Sequence, residues 1–66
     1  MRLRINGEDK DVADGLTVAD LVASLGLAGR RVAVEKNREV LAASGWTREP
    51  LAENDVLEIV QFVGGG

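Results

Sequence analysis

Few residues of this 66-residue chain are equipped for chemistry. It has no histidine, cysteine or tyrosine, so it lacks the commonest general base, the commonest metal ligand and most side-chain nucleophiles. The hydroxyls of Thr17, Ser24, Ser44 and Thr47 remain, together with carboxylates. That inventory argues against a self-contained enzyme. The arrangement that stands out is "IVQFVGGG", residues 59–66, where a strand-like run meets Gly64, Gly65 and Gly66. Gly66 carries the α-carboxylate. Either the glycines are a frayed end, or the terminus is the working part. Without a Cβ, glycines can enter a narrow channel in whatever φ and ψ it imposes. Three extended residues reach about 10 Å from a globular body.

The body that would present this tail is a single domain, near the lower limit at which one core holds without staples. No disulfide framework or thiolate zinc site is available to help it, and no metal site is expected. Eleven acidic residues against eight basic ones give a net charge of −3. A mildly acidic chain without a basic stripe is a poor nucleic-acid binder. No apolar run reaches about 18 residues, so neither a membrane span nor a signal peptide is expected. The chain reads as a cytoplasmic protein, a monomer when alone.

The elements follow from periodicity. Met1, Leu3 and Ile5 alternate with Arg2, Arg4 and Asn6, the pattern of a strand with one buried face. Asn6-Gly7 is a hairpin signal, because both residues tolerate positive φ. A polar second strand is expected over residues 10–13, broken by Asp14-Gly15. Thr17 with Asp20 three residues on forms a capping box. Val18, Leu21, Val22 and Leu25 then share one helical face, and Gly26 with Leu27 provides a Schellman-type stop. Residues 31–36 read as a third strand, Asn37-Arg38 as a turn and residues 39–41 as a short fourth strand. Residues 42–50 read as irregular, anchored by Trp46. Asn54 turns the chain into a last strand, residues 56–63. Strand, strand, helix, strand, short strand, strand predicts an α+β fold, a β-grasp or ubiquitin-like roll. Its mixed sheet of four to five strands wraps one helix, with first and last strands adjacent at the centre. The domain spans residues 1–63 and the glycine tail residues 64–66. The expected core is Leu3, Ile5, Leu21, Leu25, Val32, Val34, Leu57 and Ile59.

The stretches "MRLRINGE", "DGLTVADLVASLGL", "RVAVEKN" and "LAENDVLEIVQFVGGG", in this order and ending on Gly66, resemble the ThiS family, the sulfur carriers of thiamin (thiazole) biosynthesis. Arg38 and Asn54 stand at turn positions where that family often has glycine. The resemblance implies that the Gly66 carboxylate is adenylated by a ThiF-type, ubiquitin-activating-like adenylyltransferase that uses ATP. It also implies conversion to a thiocarboxylate, with sulfur relayed by a protein such as a cysteine desulfurase, and donation to a ThiG-type thiazole synthase. Gly64 and Gly65 would thread the partner's active site. The chain itself would bind no cofactor and supply only a carbonyl carbon. That fits its lack of histidine and cysteine.

The same alternation leaves Glu58, Val60 and Phe62 facing away from the helix, beside Arg2, Arg4, Ala33 and Glu35. Val60 and Phe62 form a candidate partner-docking patch; the alternative is that loops cover it or that Phe62 is core. Trp46 reads as packing. Glu8, Asp9, Asp11, Asp14, Glu49, Glu53 and Asp55 read as an acidic surface, either solvated or steering the chain to basic partners. Three other functions fit the same fold. These are the small subunit of molybdopterin synthase, with the same thiocarboxylate chemistry, a non-catalytic β-grasp interaction module, and a ubiquitin-type modifier.

Overall fold

The computed structural model describes residues 1–62; Val63, Gly64, Gly65 and Gly66, and the expectations placed on them, lie outside the described residues. Five strands form one mixed sheet: β1 (Arg2–Ile5), β2 (Glu8–Asp11), β3 (Val32–Lys36), β4 (Glu39–Leu41) and β5 (Val56–Gln61), in the order β2-β1-β5-β3-β4. β1 and β5 lie side by side and parallel at the centre, and every other pairing is antiparallel. Asn6 and Gly7, at φ 51° and 82°, make the tight turn between β1 and β2. That turn sets the Ile5–Glu8 register.

The helix α1 (Val18–Ser24) covers one face of the sheet. At seven residues it is too short to persist alone, so its ends and its packing must hold it. Thr17 Oγ1 accepts from the Asp20 backbone N–H at 3.2 Å, and the Asp20 carboxylate accepts from the Thr17 N–H at 2.9 Å. At the other end Gly26 (φ 76°) turns the chain. The N–H groups of Gly26 and Leu27 donate to the Ala23 and Val22 carbonyls, at 3.0 and 3.1 Å, the two bonds of a Schellman cap. The lead-in is pinned as well. Val18 N–H donates to the Glu49 carbonyl (2.9 Å) and Leu51 N–H to the Leu16 carbonyl (3.0 Å).

Val18, Leu21 and Val22 of the helix share one buried cluster with Leu3, Ile5, Val34, Leu51, Leu57 and Ile59. Two of the core expectations need correction. Leu25 is 37% exposed, because it is the C-cap residue rather than part of the last turn. The helix has already begun to unwind there, and Leu27 beyond the glycine packs on the core instead. Val32 is only half-buried, being the first residue of β3. Leu51, absent from the expected core, is buried with the helix because its backbone pairs with Leu16.

Other boundaries shift too. β2 begins at Glu8, not residue 10, because a two-residue turn puts Glu8 directly opposite Ile5. The stretch expected to be irregular holds a 3-10 helix, Ala43–Arg48, fixed by Trp46 Nε1 donating to the Leu41 carbonyl at 3.1 Å. Arg38 sits at φ 70°, a conformation that costs a residue with a Cβ about 1–2 kcal/mol. Among the described residues no helix is long and apolar enough to cross a membrane.

Candidate functional site

Strand β5 runs through the middle of the sheet and leads toward the glycines, so whatever fixes β5 fixes where the tail starts. Its backbone is held on both sides, partly by two asparagine side chains. Asn6, just past the end of β1, donates from Nδ2 to the Ile59 carbonyl (3.1 Å) and accepts at Oδ1 from the Ile59 N–H (2.8 Å). It stands in for one more residue of β1. Asn37, at the end of β3, accepts at Oδ1 from the Val56 N–H (2.9 Å), and its Nδ2 donates to Asp55 Oδ1 (3.0 Å). The ladder is still formed at Phe62, whose N–H donates to the Arg31 carbonyl at 3.0 Å.

Asp55 is a structural residue and not part of the acidic surface. It is only 7% exposed. Its Oδ2 accepts from the Ala52 N–H at 2.8 Å, which closes the turn before β5. Lys36 Nζ lies 3.8 Å from it and 3.0 Å from Glu49 Oε2. The bond to Glu49, with the nearby Asp55 charge, raises the Lys36 ammonium above its ordinary value despite partial burial. A carboxylate taken out of water persists when it is hydrogen-bonded and paired, and Asp55 has both.

The face of the sheet away from α1 is open. On its β1–β2 half the register brings opposite charges together: Arg2 Nε to Asp11 Oδ1 at 3.1 Å, and Arg4 Nε to Asp9 Oδ1 at 3.0 Å. These bonds hold Asp9 and Asp11 below the usual carboxylate range. The other half is apolar around two carboxylates. Val60 and Phe62 are 54% and 55% exposed, so no loop of the described residues covers them and Phe62 is not core. Val40 of β4 is 75% exposed; it faces Glu35, which in turn faces Glu58. Val56 is exposed on the same face, paired in register with Arg4. The sequence reading missed Val40. The alternation Glu39-Val40-Leu41 carries the signal, because burying Leu41 forces Val40 outward.

None of the described residues groups into a cluster able to hold a metal ion. Among the described residues the sheet face away from α1 is the largest open feature beside β5, the strand that precedes the glycines in sequence.

The ThiS family model matches residues 3–66. The chain is 43% identical, over 65 residues, to the sulfur carrier protein ThiS of Bacillus subtilis, covering 97% of this chain and 98% of that one. It is 42% identical over all 66 residues to part of the thiazole synthase of Paramagnetospirillum magneticum, of whose length it spans 20%. The crystal structure of the thiamine biosynthesis protein ThiS from Geobacter metallireducens superposes with a TM-score of 0.85 at 35% identity, each chain covered completely.

Proposed function

The chain belongs to the ThiS family, and on that premise we propose that it is the sulfur carrier of thiamin biosynthesis, loaded at the carboxylate of Gly66. One observation carries the reading. Strand β5, bonded on its β1 flank as far as Ile59 and on its β3 flank as far as Phe62, precedes the glycines in sequence, and the family match runs through them to residue 66.

A carboxylate is a poor electrophile because its oxygen is a poor leaving group. An ATP-using, ThiF-type adenylyltransferase attaches the Gly66 carboxylate to AMP and releases pyrophosphate. The outer sulfur of a persulfide on a relay protein such as a cysteine desulfurase then attacks the acyl carbon, and AMP leaves. A second thiol reduces the resulting acyl disulfide, its sulfur forming a disulfide with the relay cysteine, and the thiocarboxylate released is the form that a ThiG-type thiazole synthase consumes. The carrier contributes the carbonyl carbon and a surface; acids, bases and ATP belong to its partners. Gly64 and Gly65 thread the partner's channel, and the exposed Val60 and Phe62 dock beside it. The setting is cytoplasmic.

The molybdopterin branch shares this chemistry, but the relatives are named for ThiS and thiazole synthase.

The test is the intact mass of the chain after incubation with the adenylyltransferase, ATP and a sulfur source. One oxygen exchanged for sulfur is the expected change, and an unaltered mass with an active partner rejects the reading. For docking, Phe62→Ala and Val60→Asp are each expected to weaken partner binding by about tenfold or more, with circular dichroism unchanged. Affinity unaltered in both variants would place the interface elsewhere.

A further inference from the structure

The two halves of the open sheet face treat charge in opposite ways. Between β1 and β2 each outward pair joins opposite signs. Between β3 and β5 the register sets Glu35 directly across from Glu58, an arrangement that is destabilising in a sheet. Neither carboxylate is in an ion pair among the described residues. The pair also borders two hollows. One, of about 500 Å³, runs toward Asn37, Arg38 and Val56; the other, of about 90 Å³, is walled by Ala33, Val40 and Val60. Among the described residues, four of the five exposed large apolar side chains, all but Leu25, lie on this half or at its edge: Val40, Val56, Val60 and Phe62.

We propose that this half of the face is the docking surface for thiazole synthase, and that Glu35 and Glu58 together receive one arginine side chain of that partner. Naming the partner rests on the carrier reading above. Two carboxylates on neighbouring strands leave a shared negative site about 5 Å across. A guanidinium, planar and with five donors, bonds both at once; an ammonium is a point charge that serves one well. The apolar rim would exclude water from that contact, where charge complementarity counts most. The synthase is the occupant because the P. magneticum thiazole synthase contains a segment 42% identical to this entire chain. In that protein a carrier-like part and a synthase are covalently joined.

Glu35→Gln, Glu58→Gln and the double variant keep shape and remove charge. Titrated with the thiazole synthase of the same organism, each single variant should bind about tenfold more weakly. The double variant should lose less than the product, since both carboxylates hold one group. The salt dependence of binding should flatten, while melting temperatures hold or rise as the repulsion is relieved. Unchanged affinity and salt slope, a lowered melting temperature, or weakening confined to the adenylyltransferase would each overturn the proposal. Thiocarboxylate formation on the wild-type chain separates the two ideas. If it fails while synthase binding still depends on the glutamates, the carrier reading falls and the docking site stands. Loading that succeeds with binding indifferent to the glutamates is the converse.

Discussion

A chain carrying one extra residue after Gly66 will form no thiocarboxylate, and its melting temperature will not move. In the proposed carrier chemistry the reacting group is the α-carboxylate of Gly66, and a further residue converts it to an amide that no adenylyltransferase can load at that position. Deleting Gly66 is a gentler insult. It leaves a carboxylate on Gly65 but shortens the reach by about 3.5 Å, so pyrophosphate exchange should persist at a low rate. Gly65→Val should fail for a third reason: a β-branched side chain stiffens and widens the tail where a channel must admit it. None of these changes touches the buried cluster, whose members run from Leu3 to Ile59. Exchange and intact mass, measured beside thermal melts, check the set. Robust loading of the extended chain would refute the carrier assignment.

Leu21→Ala will bring the domain close to unfolding. Leu21 is among the largest fully buried side chains, and truncating a buried leucine costs about 2–5 kcal/mol. A domain of this size has in all about 3–10 kcal/mol to lose. Each kcal/mol lowers the melting temperature by about 4–8 °C in so small a protein, so the drop should exceed about 10 °C. Leu25→Ala is the matched control. At 37% exposure, on the C-cap, it should cost no more than about 1 kcal/mol. Chemical denaturation of both variants decides the matter, and equal losses would show that the helix packs differently.

That contrast marks the limit of what the sequence reveals. Leu25 fits the apolar stripe of Val18, Leu21 and Val22 by spacing alone, and periodicity cannot register that Gly26 stops the helix one residue too soon for Leu25 to face inward. Thr17, Asp20, Gly26 and the Asn6-Gly7 turn were legible because each acts on backbone within a few residues. So was the placing of β1 beside β5, since one helix can cover only one such sheet. Asp55 was read as surface because its partners, Asn37 and Lys36, are distant in sequence and come together only in the folded sheet. Val60 and Phe62 could be placed outward from alternation. The like-charged pairing of Glu35 with Glu58 could not, because it depends on the β3–β5 register.

The central position of β5 also bears on how the molecule folds. The β1–β2 hairpin and the capped helix are closed by contacts between near neighbours and can form early. β5 lies between β1 and β3 and is held there by bonds that span the chain; the Ile59–Asn6 bond joins residues 53 apart. Closing so large a loop carries the greatest entropic cost and sets the pace for folds rich in distant contacts. The strand that completes the sheet is the same one that bears Val56, Glu58 and Val60 and leads to the tail. Without β5 in register beside β3, the outward pairs Glu35–Glu58 and Ala33–Val60 do not exist.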